Sequence, residues 1–247
     1  MTESQNDYSE RFQVQFDLKS RIPKAKKIQK IINEFSTSPL KTCSCLDVGC
    51  STGININYLA EYTGFCAGID IDHPALCFAQ THAQPNVVIM AGDALYLPFH
   101  DESFDIIICS HIYEHVPDAV LLMDEIYRVL KTGGFCYFAA GNKFSLVEPH
   151  YRLPFLSWLP KRGANLYLRM TKKGTTYSEK HRTYFALKRL VHQFSITDYT
   201  VRILKEPERY GAEDMIGPNS VIQMIPSFVF WLLKPLIPTY IFILKKL

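Results

Sequence analysis

Leu46-Asp47-Val48-Gly49-Cys50-Ser51-Thr52-Gly53 is the stretch of sequence that decides the fold. It joins a predicted strand, Thr42–Val48, to a predicted helix, Ile54–Tyr62, and its two glycines flank the turn between them. Small residues let the backbone approach a ligand closely, and a helix N-terminus offers N–H groups that have no partner inside the helix. The sequence therefore predicts a turn that can hold a charged, nucleotide-type ligand.

Short β-rich runs alternate with helical stretches downstream of this turn. The further predicted strands are Phe65–Ile71, Asn86–Ala91, Phe104–Ser110 and Phe135–Ala140, and the further predicted helices are Pro74–Thr81 and Ala119–Leu130. This alternation is typical of an α/β, doubly wound, mostly parallel sheet, and the nearly continuous apolar strands indicate helices on both faces. Ligands of such sheets bind beyond the carboxyl ends of the strands.

An acid stands at the second of these strand ends. Gly68-Ile69-Asp70 closes the second predicted strand, about 20 residues after the turn, where an Asp or Glu accepts hydrogen bonds from ribose hydroxyls in nucleotide-binding folds. The turn and the acid together predict a site for a nucleotide cofactor more strongly than either does alone.

Two other interpretations of the turn remain at this point. A dinucleotide dehydrogenase needs G-x-G-x-x-G, but Ser51 stands at the middle glycine and Ile54 follows Gly53. The same residues fit the G-x-S-x-G elbow of serine hydrolases, with Ser51 as the nucleophile. The hydrolase hypothesis leaves Asp70 unexplained, and it lacks an earlier predicted strand whose loop would supply the oxyanion hole.

Five segments taken in order carry a family resemblance. They are LDVGCSTG from Leu46, GID from Gly68, GDALYLPF from Gly92, SFDIIICSHIYEHVPD from Ser103 and RVLKTGG from Arg128. Between Cys45 and Gly141 the chain resembles the class I S-adenosylmethionine-dependent methyltransferases, in the branch with small-molecule and quinone methyltransferases. The resemblance implies a Rossmann-like fold and methyl transfer from S-adenosylmethionine to a small or lipid-linked acceptor, most readily at oxygen.

The resemblance also implies a set of cofactor-binding residues at the ends of four strands. They are Asp47, Gly49, Ser51, Gly53, Asp70, Ile71, Asp93, Ala94, Ser110 and His111. In this family Asp47 would face the methionine amino group, Asp70 the ribose and Asp93 the adenine amino group. Ser51 stands where the family usually has glycine.

Catalysis by direct displacement needs alignment of nucleophile, methyl and sulfur, and a hydroxyl acceptor gains from a nearby base. The candidate catalytic residues are His111, His115 and His150. Residues 109–118 also resemble a segment in which quinone O-methyltransferases bind a divalent cation through two glutamates and a histidine. Because His111 replaces the first of those glutamates, we predict no metal site.

The chain divides into three predicted regions. Residues 1–40 form a helical lid that Pro23 breaks into two pieces, and residues 41–215 form the methyltransferase domain. A cap is inserted at about residues 142–176, followed by a helix, Lys180–Phe194, and a strand, Asp198–Leu204.

Residues 216–247 form an apolar tail. Because Val221–Leu244 holds one charge, Lys234, and three prolines, we expect it to lie at a membrane interface rather than span the bilayer. A buried closing helix or a dimer interface is the alternative.

The composition of the chain limits the kinds of partner and the compartment that we expect. The net charge of +3 and the charged fraction of 21% do not indicate nucleic-acid binding. The seven cysteines lie mostly in apolar runs, and the start of the chain does not resemble a signal peptide, so we predict a cytoplasmic protein, peripheral on the inner face of the membrane. A catalytically silent assembly partner of the same fold is the second functional hypothesis, against which Asp70 and Asp93 argue.

Overall fold

The computed structural model describes Ser9 and residues 13–213, 216–217 and 220–247. The helices are α1 (Leu18–Phe35), α2 (Ile54–Ala60), α3 (His73–Thr81), α4 (Ala119–Val129), α5 (Lys161–Met170), α6 (Tyr184–Leu190), α7 (Thr200–Lys205), α8 (Pro207–Tyr210), α9 (Val221–Met224) and α10 (Ser227–Leu233). The strands are β1 (Ser44–Val48), β2 (Phe65–Asp70), β3 (Val87–Ala91), β4 (Phe104–Ser110), β5 (Leu130–Gly141), β6 (Val147–Glu148), β7 (Leu153–Pro154), β8 (Ser195–Asp198) and β9 (Thr239–Lys245).

Seven strands form one sheet in the order β3-β2-β1-β4-β5-β9-β8. The first five pair in parallel, and β9 runs antiparallel to both β5 and β8. Because β1 lies between β2 and β4, the direction of winding reverses beside β1, and ligands of doubly wound sheets bind at such a switch point. The predicted α/β, doubly wound, mostly parallel sheet is confirmed.

Helices cover both faces of the sheet, which explains the continuous apolar strands. In β4, Ile107 and Cys109 belong to one buried cluster while Ile106 and Ile108 belong to the other. Side chains alternate between the two faces of a strand, so a strand that is buried on both sides must be apolar at every position.

The N-terminal helix is one element rather than two. Pro23 lies inside α1, which continues to Phe35 and buries Ile28, Ile31 and Ile32 against the sheet layer. Proline removes one backbone hydrogen bond near the start of the helix. The prediction of a break was wrong because the buried apolar face downstream holds the helix together.

The inserted cap has a small core of its own. A hairpin of β6 and β7 leads through a short 3₁₀ turn into α5. Leu153, Leu156, Ala164 and Leu168 pack together under it. The cap therefore stands as a separate packed layer between the end of β5 and the start of α6.

The region after the cap differs from the prediction in two elements. The helix predicted over Lys180–Phe194 is shorter, since α6 covers Tyr184–Leu190. The predicted strand Asp198–Leu204 is wrong: β8 ends at Asp198, and α7 follows it. Asp198 accepts a hydrogen bond from the backbone N–H of Thr200 at 2.9 Å, which turns the chain into the helix as Asp commonly does.

The last predicted region is not a separate tail. Strand β9 pairs with the C-terminal part of β5, from Phe135 opposite Lys245 to Gly141 opposite Thr239. Phe242 and Leu244 are fully buried in the sheet's core. The assignment of residues 239–245 to a membrane-associated tail was wrong, because an apolar run also suits an inner strand. The predicted domain boundary at residue 215 therefore omits a strand of the sheet.

The remainder of the apolar block, by contrast, lies on the surface. Five large side chains of α9 and α10 are mostly exposed, and we call them the C-terminal apolar surface: Val221, Met224, Phe228, Trp231 and Leu232. Within the described part of the chain, no helix has both the length and the apolar content needed to cross a bilayer.

Candidate active site

The turn after β1 depends on its glycines. Gly49 and Gly53 have φ of +74° and +69°, a region that disfavours residues with a Cβ. A Cβ on Gly49 would come within 2.2 Å of the side chain of Ile112, and one on Gly53 within 2.9 Å of Ala79. The N–H groups of Gly49 and Cys50 donate to the carbonyl of Ile69, which fixes the turn against the end of β2.

Ser51 lies in the same turn with φ of +49°. Its backbone N–H donates to Asp70 Oδ2 at 2.7 Å, while its buried hydroxyl has no hydrogen-bond partner among the described residues. A serine nucleophile needs a base within hydrogen-bond reach. The hydrolase hypothesis is not favoured, because the described residues supply no such base to Ser51.

Asp47 is a buried acid near the end of β1. It is 2% exposed, and its Oδ2 has no hydrogen-bond partner among the described residues. Burial, aided by the charge of nearby Asp70, raises the pKa of Asp47 to about 8. A buried carboxyl without a partner is costly unless a cation or a donor reaches it, so this position is suited to an ammonium group.

Asp70 closes β2 and faces the turn. Its carboxylate accepts from the N–H groups of Ser51, Ile71 and Asp72 at 2.7 to 3.0 Å. Burial raises the pKa of Asp70 although these three donors oppose the shift. A carboxylate offers about four acceptor positions, so one remains for an outside hydroxyl, and half-buried Ile71 borders it.

Asp93 and Ala94 follow β3 and are half-buried. Asp93 Oδ1 accepts from the N–H of Leu95 at 2.9 Å, which fixes the turn after the strand. The other carboxylate oxygen has no hydrogen bond shown to a described residue, so an outside amino group can bind there.

Ser110 and His111 end β4. His111 has φ of +59° and donates its N–H to the carbonyl of Ala139, while its ring Nδ1 lies 3.2 Å from Glu114 Oε1. Glu114 is 1% exposed. Burial alone would raise the pKa of Glu114, but the hydrogen bond to His111 and the neighbouring histidines lower it to about 2.

Two predicted catalytic histidines lie beyond Glu114. The rings of His115 and His150 are 5.1 Å apart and meet edge to face. Burial, together with the neighbouring histidines, lowers the pKa of His115 to about 4, so it is neutral at pH 7. The pKa of His150 is raised: burial opposes this, but the carboxylate of Glu148, 2.7 Å from its Nδ1, outweighs burial.

The site includes residues that the sequence did not single out. His181, just before α6, lies 3.5 Å from Glu148 Oε1. Backbone bonds hold this segment against the end of β4 and β5, with Lys180 N–H donating to the Glu114 carbonyl and Arg182 N–H to the Tyr113 hydroxyl. The one sequence signal was the Glu179-Lys180-His181 group at the cap's return into the sheet.

The N-terminal residues reach the turn as well. The backbone N–H and hydroxyl of Ser9 donate to Asp72 at 2.6 and 2.9 Å, and Thr52 donates its hydroxyl to the carbonyl of Gln15 at 2.8 Å. Phe16 packs edge to face on Phe78 of α3. Ser9, Gln15 and Phe16 therefore contact the predicted cofactor turn and the helix that follows β2. The rest of residues 1–12 fall outside the described part of the chain.

The predicted cofactor residues thus lie at the carboxyl ends of β1, β2, β3 and β4, on the edge where the winding reverses. Of the predicted catalytic histidines, His111 and His115 follow β4 and His150 lies in the cap hairpin, with its ring against that of His115. This arrangement defines a class: an α/β protein with a nucleotide-cofactor site at its switch point.

Comparison with known proteins shows which family part of this chain resembles. The methyltransferase domain family matches residues 46–138, which run from β1 into β5. Over these residues the chain is similar to S-adenosylmethionine-dependent methyltransferases.

Two curated relatives bear quinone names. The chain is 29% identical over 147 residues to a ubiquinone biosynthesis O-methyltransferase of Thiobacillus denitrificans, covering 55% of this chain and 61% of that protein. It is 37% identical over 127 residues to a demethylmenaquinone methyltransferase of Staphylococcus aureus, covering 49% and 53%. The chain therefore spans only part of the length of these relatives.

Solved structures agree on the fold. An S-adenosylmethionine-dependent methyltransferase from Methanosarcina mazei superposes with a TM-score of 0.52 at 25% identity, over 68% of this chain and 85% of that one. A methyltransferase from Thermotoga maritima gives a TM-score of 0.56 at 16% identity, over 97% and 98%. The second likeness concerns the fold alone.

Proposed function

We propose that this protein transfers the methyl group of S-adenosylmethionine by direct displacement to an oxygen of a hydrophobic, quinone-type acceptor. The observation that carries the proposal is the buried carboxyl of Asp47 beside the glycine turn, whose Oδ2 has no hydrogen-bond partner among the described residues. S-adenosylmethionine supplies an ammonium group that can pair with this carboxyl and a sulfonium that activates the methyl group.

Each strand end then has one task in holding the cofactor. Asp47 binds the amino group, Asp70 the ribose hydroxyls and Asp93 the adenine amino group. The packing and lining positions are Gly49, Ser51, Gly53, Ile71, Ala94, Ser110 and His111. Support comes from Asp70, which keeps an acceptor position, and from the turn, whose glycines leave no side chain in the way.

The protein's main contribution to the chemistry is alignment. The acceptor oxygen forms its bond to the methyl carbon while the carbon–sulfur bond breaks and its electrons stay on sulfur. The acceptor's proton must leave, and His150 is the strongest candidate base, because Glu148 raises its pKa while the pKa of His115 is lowered to about 4. His111, 42% exposed at the methionine end, is the other candidate.

The quinone-type acceptor is inferred from the names of the two curated relatives. The C-terminal apolar surface supports a hydrophobic or lipid-linked acceptor, because Phe228, Trp231 and Leu232 lie at i, i+3 and i+4 on one side of α10 and are each more than two thirds exposed. Lys205, bonded to the Ser227 hydroxyl at 3.1 Å, adds a positive charge at its border. This surface suits peripheral contact with an anionic membrane.

Transfer of a labelled methyl group to an amphiphilic phenol or quinol in anionic lipid vesicles tests the proposal. We expect transfer by the wild type and at least about a tenfold loss in Asp47→Asn, since a hydrogen bond to a charged group is worth about 1.5–3 kcal/mol. Asp124→Asn, at an exposed acid of α4, is the matched control and should retain activity.

The membrane element has its own arm in the same assay. Trp231→Ser should slow transfer to the vesicle-borne acceptor but not to a water-soluble phenol. If Trp231→Ser lowers the rate by the same factor on both acceptors, or on neither, the membrane contact is refuted. Failure of the wild type to bind S-adenosylmethionine in calorimetry would refute the proposed function and return the silent-partner hypothesis.

A further inference from the structure

A cluster of metal-binding side-chain types lies under the cap. Glu148, His150 and His181 each offer one ligand atom, and these atoms lie within 4.8 Å of one another. Glu148 Oε1 is 2.7 Å from His150 Nδ1 and 3.5 Å from His181 Nε2. Around a tetrahedral ion bound at about 2.1 Å, ligand atoms lie about 3.4 Å apart, so small side-chain movements would suffice to bind one.

The cluster carries buried negative charge. Glu148 is fully buried, and two further acids, Glu114 and Glu179, are 1% and 8% exposed beside the same histidines. Within the described ranges, no Lys or Arg forms an ion pair with any of the three. Buried carboxylates need a compensating cation.

A second observation points to an outside ligand. Glu114 Oε2 and His181 Nδ1 are both buried and have no hydrogen-bond partner among the described residues. They border the same backbone position, since a Cβ on Gly141 would lie 2.9 Å from His181 Nδ1 and 3.5 Å from Glu114 Oε1. The side of the cluster that faces the strand ends therefore contains polar atoms whose bonding is incomplete.

We propose that Glu148, His150 and His181 form a binding site for a divalent first-row transition metal such as Zn²⁺. Two imidazoles and one carboxylate suit zinc, iron, cobalt or nickel rather than Mg²⁺ or Ca²⁺, which prefer oxygen ligands. Glu114 lies beside the same backbone position as His181 Nδ1 without a hydrogen bond to it, and a carboxylate so placed would orient the imidazole once a metal binds its other nitrogen.

This site is distinct from the one considered in the sequence. His111, Glu114 and His115 follow β4, whereas two of the proposed ligands come from the cap hairpin and one from the segment that returns to α6. The sequence separates Glu148 and His181 by more than thirty residues, and only the folding of the cap against β5 brings them together.

The proposed ion has a role that rests on the proposed function. Three protein ligands leave at least one coordination position open, as in catalytic rather than structural zinc sites. An acceptor hydroxyl bound there would lose its proton more readily and would be fixed in position. This is useful for transfer to a weakly acidic oxygen. With His150 bound to the metal, the proton would pass to His111, the other candidate base, rather than to His150.

Cobalt titration of the chelator-treated full chain tests the site without any activity assay. We expect one Co²⁺ per chain, visible d–d absorption of a site with fewer than six ligands, and displacement by Zn²⁺. Glu148→Gln and His181→Asn should each weaken binding at least tenfold, about the lower limit for loss of a partner group around a metal. The matched control is His192→Asn, at an exposed histidine bonded only to a backbone carbonyl, which should bind Co²⁺ as the wild type does.

Two results would overturn the site: a wild type that shows no cobalt spectrum, or variants that bind Co²⁺ unchanged. The wild-type titration decides even if Glu148→Gln does not fold. Calorimetry with S-adenosylmethionine on the same metal-free protein separates the two proposals, because cofactor binding without cobalt binding refutes only the metal site, and the reverse refutes only the proposed function.

Discussion

Two sets of buried carboxyl groups, one at the cofactor turn and one under the cap, have pKa values that are shifted in opposite directions. Asp47, at the cofactor turn, has an unpartnered oxygen, and its pKa is raised to about 8. Glu114 and Glu148, under the cap, are equally buried, but neighbouring histidines lower their pKa values to about 2. Similar burial therefore produces a neutral acid on one side and anions on the other.

The difference lies in where the positive charge comes from. The cap supplies its own imidazoles within 3.5 Å of the carboxylates. Asp47 Oδ2 has no such partner among the described residues, and the charge of Arg21, which acts to lower the pKa of Asp47, does not outweigh burial. A site that leaves an acid neutral until a cation arrives is prepared for a cationic ligand.

The largest expected effect is on the stability of the cofactor-free protein. The pKa of Asp47 is about 8 in the folded protein against 3.8 for an unperturbed aspartate. Asp47 therefore ionises first in the unfolded chain, and stability falls as pH rises between these values. Asp47→Asn removes that loss and should raise the free energy of unfolding at about pH 8.5 by several kcal/mol. Urea unfolding at about pH 5 and about pH 8.5 measures it.

The control for that measurement is Asp124→Asn, which should follow the wild type at both pH values. A wild-type stability that is flat across the interval would show that Asp47 is ionised in the folded protein, and the contrast between the two groups of carboxylates would disappear.

An effect of intermediate size is expected at the cap. The pKa of His115 is about 4 in the folded protein against 6.5 for an unperturbed histidine. The contribution of neutral His115 to the free energy of unfolding is therefore complete above pH 6.5 and is lost as pH falls toward 4. His115→Asn should flatten this part of the stability curve by roughly 3 kcal/mol. The measurement is acid unfolding followed by circular dichroism, with His192→Asn as the unaffected partner.

The smallest expected effect sharpens the comparison directly. Binding of an ammonium beside Asp47 lowers its pKa, so at about pH 7 binding of S-adenosylmethionine should release up to one proton. Calorimetry in two buffers of different ionisation enthalpy counts that proton. The release should vanish in Asp47→Asn and above about pH 9, where Asp47 is already ionised; a release that persists in the variant would assign the proton to another group.

The parallel half of the sheet could be predicted because its signals are local. β4 was predicted with the observed bounds, and β1, β2 and β3 to within two residues, since buried apolar runs alternate with capped helices. The break at Pro23 and the strand after Asp198 were wrong, because tertiary packing and the turn closed by the Asp198 side chain, respectively, outweighed the local pattern.

The apolar block at residues 221–244 shows the limit of composition. Its first part became exposed helices and its last part an inner strand, although both have similar residues. Which part is buried depends on the free edge of β5, about a hundred residues earlier. Composition carries no information about that edge.

The candidate site likewise has residues that the sequence predicted and residues that it did not. Asp47, Asp70 and Asp93 follow strands and could be found by reading strand ends, whereas His181 is joined to Glu148 only by the path of the cap. A lone histidine before a helix gives no local sign of a distant carboxylate partner.

The position of β9 has a consequence for synthesis of the chain. β8 pairs only with β9, and β9 is the later of the two in sequence while lying between β8 and β5. While the chain emerges from the ribosome, β5 therefore presents an unpaired apolar edge until residue 245 is free, and β8 has no strand to join. Such edges invite pairing with other chains. The cofactor half can form before β9 is made, but the outer edge of β5 and β8 are joined only when β9 pairs with both.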